Sequence, residues 1–156
     1  MMKMIKRIPL VLLLISIFLF QPYSVMAVPH NTVQLEKEYL EDGSYFETII
    51  ESNDSFRSSI KNASKTVIYK NDKDQSLWYA KVTADFYYDG TTSFCTSSSA
   101  SGGTYVDGWK ILSKSSSRTG NVASATVVAG CYLNGSFVDS ITVKVLLSCD
   151  KNGNLS

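Results

Sequence analysis

A serine or cysteine hydrolase needs a histidine to take up the nucleophile's proton, and this chain has one, His30. It falls in 28–43, a stretch expected to be a flexible N-terminal arm, so neither a Ser-His nor a Cys-His arrangement can be assembled around it. Cleavage after Ala27 would put His30 third from a new amino terminus, the position that captures copper. Pro29 stands second, however, and proline has no amide proton to lose. Carboxylates are the remaining acid and base groups. Glu47 with Glu51, or Asp85 with Asp89, would suit a sugar hydrolase if two carboxyls came to the required separation. Spacing along the chain does not bring them there, and solvated surface charge is the plainer reading. Asp72, Asp74 and Ser76 open like a calcium loop, but Leu77 stands where glycine is required and Thr83 where glutamate is. A turn explains them, and no metal, cofactor or catalytic residue is expected.

The aromatic residues offer different chemistry. In 76–88, Trp78, Ala80, Val82, Ala84, Phe86 and Tyr88 alternate with Tyr79, Lys81, Thr83, Asp85 and Tyr87. A period of two is the mark of a half-buried strand, so the even positions face a core and the odd ones face away. Tyr79 and Tyr87 are therefore the candidate surface-binding residues, because flat rings on a sheet can hold a sugar or a partner's surface. If a second sheet or the N-terminal arm covers that face, both rings are ordinary cross-strand packing. Trp78 and Trp109 are assigned to the core.

These positions depend on β punctuation that runs through the chain. Asn134-Gly135 divides 122–149 into two alternating runs, and such a pair tolerates the positive φ angles of a tight hairpin turn. With those two as the loop, opposite partners sum to 269: Cys131 meets Val138 on a polar face, and Val128 meets Ile141. Cys149 falls on the apolar face with Ile141, Val143, Val145 and Leu147. Asp89-Gly90 reads as a second two-residue loop, which sets Cys95 opposite Ala84. Further strands are expected over 45–51, 64–70, 91–96 and 104–112, with 52–62, 97–103 and 113–121 as polar loops. No stretch has sustained helical spacing. The expectation is an all-β chain, one antiparallel β-sandwich of seven to eight strands over 44–156, with a partly open barrel as the alternative.

Residues 1–27 read as a cleaved signal peptide: Lys3, Lys6 and Arg7, an apolar run over 8–20 that is too short to span a bilayer, and Val25-Met26-Ala27 before the cut. Its removal takes three of 15 basic residues and leaves 12 against 14 acidic ones, scattered singly. Without a basic patch, nucleic-acid binding is set aside. No membrane anchor is expected after cleavage, and the protein is expected to be extracellular.

Export permits disulfides, and three cysteines remain. Cys131 and Cys149 fall on opposite faces and far apart along the ribbon, so they are a poor pair. Cys95 and Cys149 both face the expected core and form the expected bond; Cys95 with Cys131 is the alternative. Cys131 is the candidate free thiol, packed in place or joining two chains.

Several segments, namely Leu40-Glu41-Asp42-Gly43-Ser44-Tyr45, Ala63-Ser64-Lys65-Thr66, Phe94-Cys95-Thr96-Ser97, Trp109-Lys110-Ile111, Gly120-Asn121, Cys131-Tyr132 and Leu147-Ser148-Cys149-Asp150-Lys151-Asn152-Gly153, occur in a familiar order. From about residue 40 onward the chain resembles a family of short secreted Ser/Thr-rich β proteins of unknown function from low-GC Gram-positive bacteria. The resemblance implies a cysteine before Thr-Ser and one near the C-terminus, in agreement with Cys95 and Cys149. It implies no activity, substrate or catalytic residue. The functional expectation is a non-catalytic extracellular binding or interaction module, with a cell-envelope or host glycan or protein as partner. A secreted antibacterial toxin or effector is the alternative, and a carboxylate-based carbohydrate enzyme is third.

Overall fold

The computed structural model describes residues 30–53 and 59–156, so the expected signal peptide lies outside the described residues. Within them every named element is a strand: β1 (His30–Tyr39), β2 (Tyr45–Asn53), β3 (Ile60–Lys70), β4 (Ser76–Tyr88), β5 (Ser93–Thr104), β6 (Trp109–Thr119), β7 (Val122–Leu133) and β8 (Ser136–Ser148). Each pairs antiparallel with the next, except that the chain changes sheet between β5 and β6. The result is an all-β fold of two antiparallel sheets, β1 to β5 and β6 to β8, that do not close into a barrel.

Alternation builds the interior. Trp78, Ala80, Val82, Ala84 and Phe86 of β4 are buried against Ala123, Ala125, Val127 and Ala129 of β7 and Val145, Leu147 and Cys149 at the end of the chain. The alanines facing each other on β4 and β7 let the sheets approach closely. Gly102 does the same for β5, since a Cβ there would lie 3.0 Å from Val127 Cγ1. Large rings fill one end of this interior: Trp78 lies 6.0 Å from Trp109 and 5.8 Å from Tyr69, and Tyr69 lies 5.1 Å from Phe46. Trp78 is fully buried, and a large apolar side chain so placed contributes about 1.5–3 kcal/mol; Phe46 and Trp109 are partly buried against it.

The smaller sheet packs on β3, β4 and β5, leaving β1 and β2 to extend beyond it. What ties that wing down is Tyr45. Its hydroxyl donates to Asp74, and the ammonium groups of Lys37 and Lys70 sit 4.8 and 5.7 Å from its ring centroid. Lys70 also meets Glu47 at 2.9 Å. The Glu47 carboxylate holds the Lys70 ammonium above its usual pKa, and the Tyr45 hydroxyl does so for Lys37.

Several expectations are corrected. The segment expected to be a flexible arm forms β1, paired along β2. The Ser/Gly-rich stretch 97–103 continues β5, and 113–119 continues β6, which reaches β7 through the two-residue turn Gly120-Asn121. Around Asn134-Gly135 the first pairs are as expected, but an extra residue, Val138, then bulges from β8. Cys131 therefore lies opposite Asp139, and Val128 opposite Thr142. One added residue reverses the face of everything beyond it. Cys131 thus shares the inner row with Ala129 and sits beside Trp109 on β6. Cys95 lies opposite Phe86, not Ala84, because the turn before it has four residues, 89–92.

Candidate functional site

The outer face of the larger sheet carries the chemistry. Antiparallel partners point the same way, so pairing places Tyr79, Lys81, Thr83, Asp85 and Tyr87 of β4 beside Ile68, Thr66, Ser64, Asn62 and Ile60 of β3. On the β5 side their partners are Gly103, Ser101, Ser99, Ser97 and Phe94. The smaller sheet packs on the opposite face, and β1 lengthens the sheet at its edge, touching β2.

Both candidate tyrosines are partly exposed here, each beside a second ring. Tyr87 stacks on Phe94 with centroids 5.0 Å apart and planes at 30°, and Phe94 is 46% exposed. Tyr79 lies 5.7 Å from Tyr105, which is 54% exposed. The Tyr79 ring lies down over Gly103: a Cβ on that residue would stand 2.8 Å from Tyr79 Cε1. Phe94 and Tyr105 were not among the sequence candidates. The true register of the 89–92 turn would have revealed Phe94, and the Gly102-Gly103 pair just before Tyr105 was the signal for the other end. The two tyrosines are eight positions apart on β4, roughly 26 Å at a strand's rise, so they form two stations and not one pocket.

Between the stations runs a polar belt. Asn62 Nδ2 donates to Asp85 Oδ1 at 2.7 Å, and Ser97 Oγ donates to Oδ2 at 2.6 Å. These two bonds, that from Ser97 first, hold the Asp85 carboxyl below its usual pKa. Lys81 lies 3.8 Å from Glu51, whose carboxylate also accepts from Ser64 at 3.5 Å. Glu51, Asn62, Ser64, Lys81 and Thr83 line an open depression of about 170 Å³.

The carboxylate pairs are not brought together to act on one bond. Glu47 meets Lys70 and Lys37, while Glu51 meets Lys81. Asp89 accepts from the amides of Thr91 and Thr92 in its own turn, and those bonds, Thr92 first, lower its pKa. The turn carrying Asp72 and Asp74 is held by Asn71, whose Oδ1 accepts from the amides of Lys73 and Gln75. Among the described residues, no three His, Cys, Asp or Glu side chains gather where an ion could be held.

All three cysteines are free thiols, so the expected Cys95–Cys149 bond is not formed. The two residues nevertheless converge on one turn. The Cys95 amide donates to the carbonyl of Gly120 at 2.8 Å and the Cys149 amide to that of Asn121 at 3.1 Å. Ser93, two residues before Cys95, donates its hydroxyl to the Cys149 carbonyl at 2.8 Å. Burial pushes both thiol pKa values up.

No family model, curated protein or solved structure matches this chain.

Proposed function

We propose that this chain is a secreted, non-catalytic binding module that works outside the cell through the outer face of β3, β4 and β5. One observation carries the reading: a sheet face that no other described strand covers bears a ring pair at each end of a polar belt. Rings of this kind supply contact area at little entropic cost, and the hydroxyls and amides between them supply orientation. The carboxylates that an enzyme would need are instead engaged by lysines, hydroxyls and amides of the fold. Export belongs to the same reading and is supported by the basic start and apolar run of 1–27.

The test is a pull-down with purified protein against envelope polysaccharides and surface proteins. The parent is expected to capture a ligand that the Phe94→Ala, Tyr105→Ala double variant does not, and to leave dye-loaded vesicles intact. Equal capture by parent and variant, or release of dye, overturns the reading.

A further inference from the structure

Of the eight strands, β1 is the least attached. Among the described elements it touches β2 and no other, whereas every remaining strand meets two or more. From Leu35 to Tyr39 its side chains are exposed, so β1 buries almost none of the apolar area that holds the other strands in place. What holds it is the ladder to β2, with Val33 left out of register, and one cluster at the end of that ladder. There the Lys37 ammonium lies 3.7 Å from Glu47 and 4.8 Å from the Tyr45 ring centroid, and the Tyr39 ring lies 5.0 Å from that of Tyr45. The turn that carries the chain from β1 into β2, residues 40–44, is equally slight. The Gly43 amide donates to the Leu40 carbonyl at 3.1 Å, the Leu40 amide to the Ser44 carbonyl at 2.8 Å, and the Ser44 amide to Asp42 at 3.0 Å.

We propose that β1 is an exchangeable strand: in concentrated protein the 40–44 turn opens, and β1 of each copy takes its place beside β2 of the other, giving a symmetric dimer. A strand held by one ladder detaches at the cost of that ladder alone. The same ladder is remade in full beside the β2 of a second copy, which returns Glu47 and Tyr45 to Lys37 and a stacking ring to Tyr39. Exchange therefore gives up only the bonds of the turn and the freedom of two separate chains. Gly43 stores part of the driving force, because its φ of 82° belongs to the closed turn and is released when the hinge extends. The simpler dimer, with two β1 edges laid side by side, is disfavoured. A two-fold axis within 36–38 sets Glu36, Lys37 or Glu38 against its own copy, and like charges directly opposite destabilise a pair of strands. Exchange keeps β1 beside the one strand whose charges suit it.

The experiment mixes equal amounts of the full protein with ordinary and with heavy nitrogen, holds the mixture at millimolar concentration a few degrees below its unfolding midpoint, and separates dimer from monomer by size. A carbodiimide then joins lysine amines to adjacent carboxylates as amides, and the linked peptides are weighed. Glu47 lies against both Lys37 of β1 and Lys70 of β3, at 3.7 and 2.9 Å, so one carboxylate reports on the exchanged strand and on a control. In the dimer about half of the Lys37–Glu47 links are expected to join a light chain to a heavy one, as random pairing requires, while every Lys70–Glu47 link stays within a chain. Gly43→Ala is expected to raise the dimer fraction at least about fivefold, since alanine is strained at positive φ in the closed turn. A Cβ there meets Asp72 at an ordinary 3.4 Å, so the closed monomer still folds. A chain that stays monomeric at every concentration, a dimer whose Lys37–Glu47 links all lie within one chain, or a dimer fraction indifferent to Gly43→Ala overturns the proposal.

Discussion

Tyr79 and Gly103 show how much one missing Cβ can do. Gly103 has ordinary strand backbone, so its value is the space it leaves for a ring. Gly103→Ala is expected to lift the Tyr79 ring off the sheet while the fold persists; tyrosine fluorescence quenching, stronger in the variant than in the parent at an unchanged far-UV spectrum, checks it. Asp85 gives a pH signature. Because the folded protein depresses its pKa, the stability it contributes is present above the ordinary carboxylate value of about 3.9 and is lost as pH falls through the lower folded value. Unfolding midpoints measured between pH 5 and 2 should therefore fall less in Asp85→Asn than in the parent. The thiols give a third residue-level expectation. Burial raises the pKa of Cys95 and Cys149, so little thiolate exists at neutral pH, and in the reduced, folded protein both should resist an aromatic disulfide reagent until denaturant is added.

Among the elements, the β7–β8 ribbon is the most legible and its register the least. Asn134 and Gly135 have φ values of 50° and 82°, as the dipeptide predicts. A Cβ on Gly135 would meet nothing within 4 Å, so the cost of Gly135→Ala is purely conformational, about 1 kcal/mol by chemical denaturation. The Val138 bulge carries no comparable signal, because Phe137, Val138 and Asp139 are all exposed and no burial pattern marks the extra residue. The β5 and β6 strands were illegible for a related reason. The 97–103 part of β5 meets the core only through small Ser, Ala and Gly residues and β6 is exposed on both sides from Leu112 on, so neither has an apolar alternation to read, and they are strands because a neighbour offers a ladder of amides and carbonyls. The 28–43 segment follows the same rule: its charged residues resemble an arm until β2 supplies the partner.

The molecule as a whole depends on how two sheets are held together at their less aromatic end. Trp78, Tyr69, Phe46 and Trp109 secure one end, while Cys95 and Cys149 lie at the other, in strands and segments of different sheets. Here the sheets are joined through the Gly120-Asn121 turn, whose carbonyls accept from the Cys95 and Cys149 amides at 2.8 and 3.1 Å. Because all three cysteines are free thiols, a non-reducing peptide map of the folded protein is expected to yield Cys95, Cys131 and Cys149 each alkylated, with a midpoint unchanged by reductant. A Cys131–Cys149 peptide would contradict this arrangement of the sheets.

By itself the chain determined its class and its faces. The period of two in 76–88 and 141–149, the Asn-Gly corner and the absence of helical spacing dictate antiparallel sheets with Trp78 inside and Tyr79 and Tyr87 outside. These are local properties, set by alternation along one strand. The tertiary structure alone decided which residues stand across from one another, and so which ring lies beside Tyr79 or Tyr87, which carboxylate meets which lysine, and which face Cys131 takes. Register belongs to pairs of strands, and a single bulged residue resets it without changing the pattern of either strand.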